Sequence, residues 1–134
     1  MEILSSRILL RPRDPEASRR FYRDVLGLAV YREFGPPEHR GTVFFLGGGF
    51  LEVSGGREAD GAAGDADGAV RLWLQVRDLA ATARELRDAG VTITREPRTE
   101  FWGLVEMWIA DPDGVPIVLV EIPEDHPLRR DQRG

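Results

Sequence analysis

The chain repeats itself. Arg7-Ile8-Leu9-Leu10-Arg11-Pro12-Arg13-Asp14 aligns without a gap on Arg71-Leu72-Trp73-Leu74-Gln75-Val76-Arg77-Asp78, and each octet runs into a segment of helical spacing that ends at a glycine. Self-similarity of this kind marks a supersecondary unit used more than once. In the first copy Asp14 suits a helix N-cap and Pro15 the first helical position, where a missing N–H costs nothing. Ala17, Phe21 and Val25, with Tyr22 and Leu26 beside them, form an apolar stripe that Gly27 stops. In the second copy Asp78 caps, Leu79, Thr82, Ala83, Leu86 and Ala89 make the stripe, and Gly90 stops it. Short β-like runs follow each helix: 28–34, 42–46 and 50–53, then 91–95, 104–110 and 116–121. Each half therefore reads βαβββ, and the expected class is α+β.

These elements divide the chain into a first module over 1–54, a linker over 55–69 rich in Gly, Ala and Asp, a second module over 70–122 and a polar tail over 123–134. At 134 residues this is the length of one structural domain. No apolar run approaches the ~18 residues of a membrane span, and the first residues lack the pattern of a secretory signal, so a cytoplasmic protein without a membrane partner is expected. There is no cysteine, which excludes disulfides, a thiol nucleophile, thiolate-bound zinc and iron–sulfur clusters. All 18 basic residues are arginine, which excludes Schiff-base and phosphate-loop lysines. A net charge of −5 argues against nonspecific nucleic-acid binding, which wants a basic field.

Side chains alternate across a strand, so each run splits into two faces. Ile8, Leu10, Leu72, Leu74, Val76, Val105, Met107, Ile109, Ile117 and Leu119 suit a face covered by helices. The other face carries Arg7, Leu9, Arg11, Glu52, Arg71, Trp73, Gln75, Glu106, Trp108, Val118 and Val120. Charges alone would describe a solvated sheet. Two tryptophans among them describe instead the wall of a small-molecule pocket, or a dimer interface.

Phe21-Tyr22-Arg23-Asp24-Val25-Leu26-Gly27-Leu28 after Arg13-Asp14-Pro15, then Val76-Arg77-Asp78-Leu79, Trp102-Gly103 and Asp111-Pro112-Asp113-Gly114 before the last run, resemble the vicinal oxygen chelate superfamily. That superfamily holds glyoxalase I, extradiol dioxygenases, fosfomycin resistance enzymes and metal-free bleomycin resistance proteins. The resemblance spans nearly the whole chain. It implies two βαβββ modules forming a curved mixed sheet around a cleft, helices outside, often completed by a second subunit; a homodimer is the expected assembly. It also implies four metal-ligand positions, which here are Arg7, Glu52, Arg71 and Val118. A guanidinium has no free lone pair and stays protonated, and valine has no donor. No metal or other cofactor is expected.

Two readings of the site stay open. In the first, a metal-free protein sequesters an aromatic antibiotic or metabolite on a surface formed by Arg7, Arg11, Phe50, Glu52, Arg71, Trp73, Gln75, Trp102, Glu106, Trp108 and Val118. In the second, a lyase, isomerase or dioxygenase uses Glu52 as base with Arg7 or Arg71 as oxyanion stabiliser, or an unorthodox metal site. Whether arginine outnumbers carboxylate around Glu52 and Glu106 decides whether the site can hold an anion. A dimeric module without a ligand is the third, plainer case. His39 and His126 are read as solvated, Glu121 as a surface carboxylate, Gly47-Gly48-Gly49 as a hairpin turn, and Phe101 with Trp102 as a pocket rim or loop packing.

Overall fold

A computed structural model of the protein describes residues 1–55 and 70–128. The chain forms two compact units, Met1–Ala66 and Asp67–Gly134, with one element order. The first contains β1 (Arg7–Leu10), α1 (Pro15–Arg20), β2 (Val30–Phe34), β3 (Gly41–Leu46) and β4 (Gly49–Val53). The second contains β5 (Leu72–Gln75), α2 (Leu79–Asp88), β6 (Ile93–Thr99), β7 (Val105–Ala110) and β8 (Pro116–Glu121). Each makes a mixed four-stranded sheet, ordered β1-β4-β3-β2 and β5-β8-β7-β6. The first strand pairs parallel with the last, and the remaining pairs are antiparallel. The α+β, tandem βαβββ expectation holds. Most of the expected linker, 56–69, and the end of the tail, 129–134, lie outside the described residues.

The repeated punctuation works as the sequence implies. Asp14 accepts from the Ala17 N–H at 3.1 Å and Asp78 from the Ala81 N–H at 3.0 Å, each filling an orphan donor of a first helical turn. Gly27 and Gly90 stand at φ +72° and +79°, the left-handed region that a side chain resists.

Four details depart from the pattern. First, α1 is α-helical only to Arg20; Phe21–Val25 form a wider π-helical turn in which the Leu26 N–H reaches the Phe21 carbonyl at 2.9 Å. Neighbouring residues on an ordinary helix diverge by about 100°, yet Phe21 and Tyr22 are both buried. Second, β2 starts at Val30, because the Leu28 N–H is taken by the Tyr22 carbonyl at 2.9 Å. Third, β6 runs to Thr99, past Pro97, with register shifts on either side of Arg95. Proline is tolerated there because β6 is an edge strand. Fourth, Glu121 is more than a surface carboxylate: its Oε1 accepts from the Leu79 N–H at 2.8 Å, tying β8 to the start of α2. Glu121→Ala is expected to cost about 1–2 kcal/mol, measured by chemical denaturation.

The helix-side faces are buried as expected: Phe21, Tyr22, Phe44, Leu51 and Val53 in the first unit, Leu72, Met107, Ile109, Ile117 and Leu119 with Leu79, Ala83 and Leu86 of α2 in the second. Ile8 is exposed on the edge strand β1, and Leu10, Leu74, Val76 and Val105 are half-buried. Part of the other face of the second sheet is also buried, where Leu104, Val118, Val120 and Ile122 form a cluster against which Trp108 packs, while Trp73 and Gln75 are exposed. Among the described residues no helix is long and apolar enough to cross a membrane.

Candidate functional site

In the first unit the parallel register sets Arg7 beside Phe50 and Leu9 beside Glu52. Arg7 Nη1 donates to Glu52 Oε1 at 2.9 Å, and Ser54 Oγ donates to Glu52 Oε2 at 2.6 Å. The Ser54 hydroxyl and then the Arg7 guanidinium, with Arg32 farther off, hold the Glu52 carboxyl below the usual carboxylate range against a smaller opposing effect of burial. A carboxylate so held stabilises the fold above its unfolded-state pKa, and that contribution fades as pH falls through the lowered folded value. Ser54→Ala removes the largest cause, so acid unfolding of the variant is expected to begin at higher pH than in the parent, followed by circular dichroism across a pH series.

Beside this ion pair, Tyr31, Phe45 and Phe50 cluster with ring centroids 4.9 to 5.7 Å apart. Tyr31 and Phe45 are about half exposed. Arg11 does not join them; it lies against Gly55, where a Cβ would sit 3.3 Å from the guanidinium.

In the second unit Trp73 pairs with Val118 and Gln75 with Val120 on β8, while Trp108 and Glu106 of β7 flank the same two valines. The register therefore brings Trp73, Gln75, Glu106, Trp108 and Val118 onto one face. The Arg71 guanidinium lies 5.4 Å from the centre of the Trp108 ring, and that of Arg95 lies 5.8 Å from it. Trp102 joins from the preceding loop, its Nε1–H donating to Glu106 Oε2 at 2.9 Å. Arg95 pairs with Glu100 and stands 3.9 Å from Glu106, while Arg98 Nε donates to Glu100 at 3.2 Å.

His126 is engaged rather than solvated. Its Nδ1 accepts from the Leu128 N–H at 3.2 Å, so the ring proton is on Nε2, which donates to the Trp102 carbonyl at 3.1 Å. The imidazole packs on Gly103 so closely that a Cβ there would meet it at 3.1 Å. Phe101, by contrast, is fully exposed, and its ring meets Trp102 edge to face. His39 sits in an exposed 3-10 turn. Asp111 closes the turn before β8 by accepting from the Asp113 and Val115 N–H groups at 2.8 and 2.9 Å.

Arg95, Glu100, Ser54, Tyr31 and Phe45 were not among the residues expected at the site. The Phe45–Phe50 pair was within reach of sequence, since a two-residue Gly47-Gly48 turn between Leu46 and Gly49 sets them opposite one another. Arg95 closes the expected 91–95 run, but a register shift between Ile93 and Arg95 sets it opposite Trp108, and Glu100 lies beyond that run.

The four positions that the family resemblance implies for metal ligands carry side chains ill suited to that role. In the first unit the arginine occupies the carboxylate next to it; in the second, Arg71 and Val118 offer no lone pair. Among the described residues no three His, Cys, Asp or Glu side chains are grouped to hold an ion.

A family model of the glyoxalase/bleomycin resistance protein/dioxygenase superfamily matches residues 5–119. The chain belongs to that superfamily. Over 126 residues it is 31% identical to a probable lactoylglutathione lyase of Vibrio cholerae, covering 88% of this chain and 90% of that one. Over 129 residues it is 33% identical to a lactoylglutathione lyase of Haemophilus influenzae, covering 90% and 93%. Among solved structures, SMU.1112c aligns with a TM-score of 0.71 at 26% identity over 90% of this chain and 99% of that one. TnmS3, an antibiotic binding protein from a Streptomyces species, aligns at 0.72 and 20% identity over 91% and 98%, a likeness of fold.

Proposed function

We propose that the protein is a metal-free small-molecule-binding member of its superfamily, taking up a flat aromatic compound such as an antibiotic or metabolite. The reading rests above all on the Arg7–Glu52 ion pair, which puts a guanidinium where a metal ligand would stand. Trp73, Trp102 and Trp108 in one unit and Tyr31, Phe45 and Phe50 in the other give rigid ring surfaces suited to stacking. TnmS3, named for antibiotic binding, has the same fold.

The lyase named for the bacterial relatives is the second reading, favoured by their identity over about nine tenths of the chain. It asks Glu52 to act as a base. With Ser54 and Arg7 holding its proton affinity down, Glu52 is a poor one. Metal analysis of dialysed protein, with tryptophan quenching by a panel of aromatic antibiotics, separates the two. The binding reading expects saturable quenching and substoichiometric metal; a stoichiometric divalent metal with glutathione-dependent turnover would reject it. The homodimer implied by the family resemblance belongs to the same proposal, and sedimentation at micromolar concentration tests it.

A further inference from the structure

We infer that the second unit engages its ligand through an anionic oxygen, a carboxylate, phenolate or enolate borne on a flat ring, received by Arg71; this rests on the aromatic-binding reading above. The inference comes from counting donors against acceptors on the face of Trp108. Glu106 is engaged by the Trp102 Nε1–H and faces Arg95. Glu100 is engaged by Arg95 and Arg98. Neither carboxylate reaches Arg71, and among the described residues of its unit Arg71 has no carboxylate partner. Among the described residues two more donors here lack acceptors: the Trp108 Nε1–H and the Nε–H of Arg95 are buried and unpaired. Buried donors are ordinarily satisfied, and near Trp108 three arginines, Arg71, Arg95 and Arg98, stand against two carboxylates, Glu100 and Glu106.

The geometry suits one ligand class. A guanidinium held over an indole ring still offers N–H groups to two oxygens of a carboxylate or to a single enolate oxygen. Arg71 and Trp73 lie two residues apart, Trp73 beside the apolar Val118, and both are exposed, so a ring resting on Trp73 carries its substituent toward Arg71. The same guanidinium repels an ammonium, so a cationic antibiotic is the wrong partner for this face in spite of the chain's net charge of −5.

Three isosteric probes test this: naphthalene-2-carboxylate, 2-naphthamide and 2-naphthylmethylammonium, titrated by calorimetry into the full-length protein. The carboxylate is expected to bind about 10-fold tighter than the amide, and the ammonium weakest. Arg71→Gln is expected to erase the carboxylate's advantage over the amide, while Arg71→Lys keeps part of it; circular dichroism checks that each variant folds. Equal affinity for carboxylate and amide, tightest binding of the ammonium, or a carboxylate preference that survives Arg71→Gln would each overturn the anion inference and leave the aromatic-binding reading standing. Failure of all three probes to bind would overturn both.

Discussion

Trp108→Ala is expected to destabilise the second unit by about 3 kcal/mol and to weaken an aromatic ligand by roughly 30-fold. Both effects come from one ring. Trp108 packs on the buried cluster of Leu104, Val118, Val120 and Ile122, so truncation opens a void against it. It also removes the surface on which the Arg71 and Arg95 guanidinium groups lie, contacts worth about 0.5–1 kcal/mol each. Trp73 makes the contrast. It is half exposed, so Trp73→Ala is expected to lower ligand affinity by a similar factor while the unfolding midpoint moves little. Urea denaturation and ligand titration of the two variants side by side read this out. The prediction fails if Trp108→Ala unfolds like the parent, or if both variants keep full affinity.

Tyr22→Ala is expected to cost the first unit about 4 kcal/mol. Tyr22 has no exposed surface, meets Phe21 edge to face at 5.2 Å, and lies 6.3 Å from the Phe44 ring. Three aromatic rings from the wide turn and β3 thus interlock under α1, and alanine leaves a cavity that rigid neighbours cannot fill. The Tyr22 carbonyl also holds the Leu28 N–H that directs the chain toward β2, so collapse of the turn would loosen the strand entry. A loss under 1 kcal/mol in guanidinium denaturation would contradict this packing.

The repeat made the architecture legible in the sequence. Asp14, Asp78, Gly27 and Gly90 are local signals whose effect depends on backbone chemistry alone, and they mark helices where the structure has them. Alternation likewise sorted Trp73, Gln75, Glu106, Trp108 and Val118 onto one face. What alternation could not supply was pairing. The partner of Arg7 is set by the β1–β4 register, and the engagement of Glu106 by Trp102 depends on a loop whose path no period encodes. The π-helical turn at Phe21–Val25 escaped notice because a five-residue widening leaves the apolar stripe intact. Arg95 lies within the expected 91–95 run, but strict alternation groups it with Ile93, whereas a register shift between the two sets it opposite Trp108. Arg11 shows the converse failure: it continues the alternation of β1, but the strand ends at Leu10 and the side chain turns to Gly55.

The central proposal is that this chain binds an aromatic molecule with side chains alone, Arg7, Arg71 and Val118 standing at positions that the family resemblance implies for metal ligands. The most direct test is one pair of titrations of tryptophan fluorescence with naphthalene-2-carboxylate, on protein as purified and on protein exhaustively treated with a chelator. Superimposable, saturable curves are the predicted result. A curve that vanishes after chelation and returns when zinc or nickel is added would contradict it.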